Sequence, residues 1–360
     1  MKPAFESYKK ILAIDIGQGT QDILLYDPHK NIENCISLIL PSPTALYGKI
    51  IDNCSEDLHI SGSTIGGGII SRAIKDHIKR GYAVFMETEA AASIRDNLDS
   101  VRKMGICIGK PKAEFNGKTL HLREVNLSRL KEFFAHFSED MDVEVVAIAV
   151  QDHGTSPEGK SDRVFRFEVI ARRLLQNNLP ESFAFWAEEI PSFFTRMTSL
   201  AKSLKEQFSG KILIMDTVFC ALLGCIEDRP EPYIIVNVGN DHTLCAIIKD
   251  RRIDAIMEHH TGMLTPEKLR ALLIRFASGV VTNQEIYDDW GHGALYINKH
   301  CMPVGHIIVT GPHREKMRQT GFPVSFAAPG GNMMLTGPIG LVKACQLKGL
   351  SPENFLVQRF

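Results

Sequence analysis

The feature that most constrains this chain is a pattern written twice. Residues 11–25, ILAIDIGQGTQDILL, read as an apolar strand, a tight glycine turn and a second strand. The pattern returns as the apolar run Tyr233–Val238, the turn Gly239-Asn240-Asp241-His242-Thr243 and the strand Leu244–Ile248. A third strand follows each hairpin, Asn31–Leu40 in the first copy, ending at a Pro41-Ser42-Pro43 break, and Arg252–Met257 in the second. A turn of purely local origin has no reason to recur at the head of a second domain, so the repeat predicts two domains of one fold. The glycine-to-threonine spacing is three residues in the first copy and four in the second, which makes the repeat approximate.

Asp15, Gly17, Gly19 and Thr20 suit a hairpin that wraps a phosphate chain. Glycine lets the backbone approach closely, N–H groups and the Thr20 hydroxyl donate to phosphate oxygens, and a carboxylate can hold hydrated Mg²⁺. Taken alone, the same residues also suit an ordinary hairpin turn. Neither a Walker loop nor a Rossmann fingerprint is present, because each needs a helix directly after its glycines.

A length of 360 residues favours two domains, each able to bury a core. Charged residues make up 23% of the chain and the net charge is −1, so no nucleic-acid footprint or disordered tail is expected. No apolar run has signal-peptide or membrane-spanning character, which points to a cytoplasmic chain without a membrane partner. The eight cysteines form no CxxC and no CxxxCxxC, so they read as reduced thiols, and a radical-type iron–sulfur site is not expected.

Strand-like and helix-like runs alternate, which predicts an α/β fold with mixed sheets flanked by helices. Strands are expected at Leu58–Ser61, Tyr82–Met86, Thr119–Val125, Val143–Val150 and Lys211–Met215. Helices are expected at Ile69–Lys79, Leu127–Phe137, Val164–Leu175, Val218–Ile226 and, broken near Pro191, Phe183–Leu204. The polar, proline-rich run 227–232 is read as a boundary, giving domains over residues 8–228 and 229–360.

In this order of motifs the chain resembles the actin, hexokinase, sugar-kinase and Hsp70 superfamily, whose two RNase H-like domains clamp ATP in a cleft. Asp15-Ile16-Gly17-Gln18-Gly19-Thr20-Gln21-Asp22 matches its first phosphate motif, with a T-x-D ending like that of hydantoinase and oxoprolinase relatives. Asn237-Val238-Gly239-Asn240-Asp241-His242-Thr243 matches the second phosphate motif, and Ile307–Pro312 the adenosine motif. The resemblance implies ATP and Mg²⁺ as cofactors. It implies nucleotide contacts from Asp15, Gly17, Gln18, Gly19, Thr20, Asn237, Gly239, Asn240, Thr243, Gly311 and Pro312, with Asp15 holding Mg²⁺ through water. The run Leu335–Gly340 is similar to the closing glycine-alanine helix of that superfamily. More closely, the segments STIGGG, TEAAAS, EHHTGMLTPEKL and DDWGHGA are similar to a prokaryotic family labelled pyruvate formate-lyase activating enzyme.

Two departures from the superfamily pattern bear on chemistry. Asn237 replaces the usual aspartate of the second motif and brings no charge, so Mg²⁺ would depend more on Asp15. Pro312 follows Gly311 where a second glycine is usual, which fixes φ and removes an N–H.

Asp216, at the end of a strand, matches the hexokinase segment that carries the catalytic base, and it suits a helix N-cap equally well. Asp152 and His153 match a strand end that faces the sugar in xylulose-type kinases, and they also fit a plain turn. Thr64, Gly66 and Gly67 precede a helix and are candidates for contact with an anion or substrate. His260 and His292 are candidate substrate contacts, while His259 and His260, adjacent on a strand, must face opposite ways.

The function expected from these features is an ATP-dependent phosphotransferase or ATPase with an unidentified acceptor. The alternative is a nucleotide-gated activator or scaffold of a partner enzyme.

Overall fold

A computed structural model of the protein describes residues 10–112, 114–227, 229–299 and 301–349. The described residues group into two compact units, one over 10–150 and 186–214, the other over 151–185 and 215–349. The expected boundary at 228/229 lies inside the second of these units.

In the first unit the hairpin strands Lys10–Ile16 and Thr20–Tyr26 pair antiparallel, and Ile36–Pro41 adds to the second of them. On its other side Lys10–Ile16 pairs parallel with Val143–Val150, which is followed in the sheet by Lys211–Asp216 and Ala184–Trp186. The central strands are near-continuous apolar runs, as expected where a sheet is covered on both faces. An inserted parallel sheet carries Leu58–Gly62, Val84–Met86, Cys107–Ile108 and Lys118–Leu122. Its own core includes Leu58, Ile60, Ile70, Ile74 and Val84.

The second unit repeats the plan. Tyr233–Val238 and His242–Lys249 form the hairpin, Arg252–His260 is the third strand, and Ile307–Thr310 lies parallel on the other side of the first. Gly293–Tyr296 and Val324–Phe326 close the two edges of this sheet. Behind it, helix Thr217–Cys225 packs on helix Thr336–Leu347. A Cβ on Gly224 would stand 1.8 Å from the Thr336 carbonyl oxygen, and one on Gly340 1.9 Å from that of Cys220. Only glycine permits that approach.

The repeat is closer than the spacing of its threonines implies. Each turn is closed by the glycine N–H donating to the carbonyl three residues on, Gly17 to Thr20 and Gly239 to His242, both at 2.9 Å. His242 therefore occupies the position of Thr20. Thr243 sits one place further on, buried within the strand and bonded through its hydroxyl to Thr261 Oγ1 at 2.9 Å.

Two local readings are corrected. The expected break at Pro41-Ser42-Pro43 is the passage from the strand, which ends at Pro41, into a helix, Pro43–Asp52, because the Ser42 hydroxyl caps the Ala45 N–H and Pro43 tolerates the first turn. The expected helix over Phe183–Leu204 holds a short strand, Ala184–Trp186, ahead of a helix that spans only Thr195–Lys205.

Candidate functional site

In the first unit, Asp15 and Asp22 face each other directly across the hairpin. Asp22 Oδ1 is buried without a hydrogen-bond partner. Burial, reinforced by the neighbouring Asp15 and opposed by a bond from Thr20, pushes the Asp22 carboxyl up to about 8. Two carboxylates brought together with too little compensating charge suit a divalent cation. Ser42 steadies the turn from outside, its hydroxyl donating to Gln18 O at 2.5 Å and its N–H to Gly19 O at 3.0 Å.

The glycine run lies against this turn. A Cβ on Gly68 would come within 2.9 Å of Gln18 Nε2, and one on Gly67 within 1.8 Å of the Ser93 carbonyl oxygen. The anion that meets the Gly66 N–H is the chain's own Glu124, at 3.2 Å, and Arg196 pairs with that carboxylate at 2.7 Å. Thr64 is buried, its N–H donating to Ser199 and its hydroxyl to Glu89 O. A polar cavity of about 630 Å³ in the same unit is bordered by Ser63, Lys110, Arg123 and Lys202.

In the second unit, helix Asp162–Gln176 carries Arg166, only 3% exposed, into the centre of a charged cluster. Its guanidinium donates to Asp216 Oδ2 at 2.9 Å, to Glu258 Oε1 at 3.0 Å and to the Asp152 carbonyl at 3.2 Å. Asp216 also caps helix Thr217–Cys225, Oδ1 accepting from the Val218 N–H at 3.1 Å. Both readings of Asp216, strand-end carboxylate and helix cap, thus meet in one buried side chain. Burial would raise the Glu258 carboxyl, but Arg166 outweighs it and holds the group well below the usual range.

Above this ion cluster stand four histidines. His242 opens its strand opposite His260, and His292 follows helix Asn283–Asp288, held by its N–H on Glu258 O at 2.9 Å. His153 follows strand Val143–Val150. Ring centroids lie 4.7 Å apart for His242 and His292, 4.9 Å for His242 and His260, and 5.9 Å for His153 and His292. Burial, reinforced by the Arg166 charge, lowers His153 well below its ordinary value; burial also brings His242 to about 4 and His292 to about 3. All three rings are therefore neutral near pH 7. His259 turns the other way and meets Asp289 Oδ2 at 3.1 Å.

Asp152 is buried beside this cluster, its Oδ1 accepting from the Gly154 N–H at 2.8 Å. Asn237 pairs in register with Thr310, and Gly311 follows with a φ of +96°. A Cβ on Gly311 would lie 2.4 Å from the Val238 carbonyl oxygen and 2.7 Å from Asn237 Oδ1, so the expected adenosine turn is folded tightly over the end of the second hairpin. Pro312 and Asn240 are exposed.

Asp152, His153, Asp216, His260 and His292, separate candidates in the sequence, thus meet in one neighbourhood of the structure with Arg166, Glu258 and His242, which were not singled out there. Glu258 precedes the histidine pair and His242 lies in the quoted turn. Arg166 gave no signal, since an arginine on an amphipathic helix is ordinarily solvated.

Five strands lie in the same order in both units, each opening on a glycine-turned hairpin and continued by a parallel strand, which is the plan of the actin-like ATPase fold. Residues 65–316 match the family described as "Putative pyruvate format-lyase activating enzyme (DUF1786)", and the chain belongs to that family. No curated protein matches it. Among solved structures it is similar to the inorganic polyphosphate/ATP-glucomannokinase of Arthrobacter sp. strain KM, with 11% identity over 95% of this chain and 100% of that one and a TM-score of 0.37. It is also similar to the ethanolamine utilization protein EutJ of Carboxydothermus hydrogenoformans, at 11% identity over 94% and 90% with a TM-score of 0.31. A third is the activator of 2-hydroxyisocaproyl-CoA dehydratase from Clostridium difficile with bound ADPNP, at 8% identity over 94% and 97% with a TM-score of 0.31. No helix among the described residues is long and apolar enough to cross a membrane.

Proposed function

We propose that the chain binds Mg-ATP and acts as a phosphotransferase or ATPase. The observation that carries this reading is the matched closure of the two hairpins, Gly17 N–H on Thr20 O and Gly239 N–H on His242 O. A glycine turn at the end of a strand lets phosphate oxygens approach the backbone closely. Gly17, Gln18, Gly19 and Thr20 would contact phosphate in the first unit, and Gly239 and Asn240 are the corresponding candidates of the second. Gly311 and Pro312 would meet the adenosine.

Asp15 holds Mg²⁺ in this reading, and the partnerless Oδ1 of Asp22 supports a cation beside it. The ion would neutralise charge on the phosphates, where most of the acceleration in phosphoryl transfer arises. Asp216 is assigned a positioning role, since its oxygens cap a helix and bind Arg166. Asp152, His153, His260 and His292 would face the acceptor.

Thermal unfolding tests the reading. Millimolar Mg-ATP should raise the Tm of the wild type; a ligand at a hundred times its Kd adds about 2.7 kcal/mol. Asp15→Ala should remove the shift. An unchanged Tm in the wild type would refute nucleotide binding.

A nucleotide-gated activator is the second reading, favoured by one contrast. Asn237 faces Leu244 where Asp15 faces Asp22, so the second hairpin lacks the carboxylate pair. Hydrolysis that responds to added protein and never to small metabolites would select this reading over a kinase.

A further inference from the structure

We propose that His153, His242 and His292 form a binding site for a first-row divalent cation of the Zn²⁺ class. This goes beyond the nucleotide reading and stands without it.

Each of the three residues offers one ring nitrogen, and these atoms all lie within 4.8 Å of one another. Zn–N bonds of about 2.0–2.1 Å in a tetrahedron put ligand nitrogens about 3.3 Å apart, so small side-chain rotations complete the shell. They come from three separate segments: a strand end, a hairpin turn and a loop after a helix. Chance neighbours on one helix would not explain that convergence.

The second observation is unsatisfied chemistry. His292 is 2% exposed, yet neither of its ring nitrogens has a hydrogen-bond partner, and the same holds for Nε2 of His242. Leaving buried polar atoms unpaired costs about 1–3 kcal/mol each. A metal ion satisfies one nitrogen on each ring at a stroke.

The surroundings supply what the outer atoms of such a site need. His292 Nδ1 lies 3.9 Å from Glu258 Oε2, too far for a hydrogen bond but close enough for the carboxylate to orient the imidazole after a small rotation. Gln151 Nε2 stands 2.9 Å from His242 Nδ1. With the amide turned so that its oxygen accepts from Nδ1–H, Nε2 presents its lone pair. Glu258 and Asp216 against the single Arg166 leave one formal negative charge in excess beneath the rings, which favours a cation.

His260 completes the setting from the outer side. Its ring lies 5.0 Å from that of His292, and it borders a cavity of about 360 Å³ with Asn240, Asp241 and Trp290. Three protein ligands leave a coordination position for water or a substrate oxygen, and this cavity is the place from which an oxygen donor would arrive.

The test uses full-length protein stripped with a chelator and kept free of nucleotide, so failure here is separate from failure of ATP binding. Zn²⁺ is titrated against a chromophoric competitor, and Co²⁺ is added to read the ligand field in the visible spectrum. The expected result is one Zn²⁺ per chain, at least tenfold weaker in His153→Ala and in His242→Ala, with binding unchanged in His306→Ala. Circular dichroism of each variant verifies the fold, and the two single-site variants keep the test decisive if His292→Ala does not fold. Wild-type protein that binds no Zn²⁺, or folded His153→Ala and His242→Ala proteins that bind as tightly as wild type, would overturn the assignment.

Discussion

Across the first hairpin Asp15 faces Asp22, with Thr20 at the end of the turn; at the matching register of the second, Asn237 faces Leu244 and His242 ends the turn. The backbone bond that closes each turn has the same length and span, yet one hairpin gathers carboxylates and the other gathers imidazoles. Hairpin geometry is thus a mounting that leaves side-chain chemistry open. It is the element behind each turn that differs: the glycine run and Ser42 in the first unit, a buried arginine in the second.

The sharpest way to break the contrast is to remove that arginine. Arg166→Met would leave Asp216 and Glu258 buried without their shared counter-charge, and uncompensated buried charge costs about 3–5 kcal/mol. Urea unfolding should show this loss, with amide exchange rising first along Arg252–His260. A change under about 1 kcal/mol would mean that the cluster contributes little to the second unit.

The carboxylate side can be sharpened next. Asp22→Asn should raise stability by about 1–3 kcal/mol in metal-free buffer near pH 8, because it removes a largely buried charge whose Oδ1 has no hydrogen-bond partner. The sign follows from linkage. Asp22 titrates near 3.8 when unfolded and near 8 when folded, so between these limits the folded chain holds the extra proton and wild-type stability falls as pH rises. The gap between variant and wild type should therefore widen from pH 5 to pH 8 in parallel melting curves. A constant gap would show that Asp22 is not the group responsible.

The smallest effect on stability belongs to the swap that makes the second turn a copy of the first. His242→Thr keeps the Gly239 N–H bond to the backbone of residue 242, so unfolding free energy should move by less than about 1 kcal/mol. Zn²⁺ affinity should fall by at least tenfold in the same sample, measured by competition. Loss of folding would instead make the imidazole part of the core.

Much of the mounting was legible in the sequence and little of the cluster was. The hairpins announce themselves because period-two strands around glycine leave few alternatives. Helix Pro43–Asp52 was missed because Ser42-Pro43 resembles a break until the Ser42 hydroxyl is seen on the Ala45 N–H. Ala184–Trp186 is a strand by virtue of its sheet neighbours, which three residues cannot advertise. The cluster is tertiary in origin: Arg166, Glu258 and His292 converge from positions 166, 258 and 292, and no local pattern marks an arginine destined for burial.

Helix Thr217–Cys225, buried at every residue from Val218 onward, leans through Gly224 on a helix that begins at Thr336. On a ribosome working at about 5–20 residues per second, the first helix emerges on the order of ten seconds before its partner exists. During that interval a wholly apolar surface is open to any passing chain. Chaperone capture of nascent chains stalled ahead of Thr336, and its release once Leu347 has emerged, would be the cellular signature of two glycines.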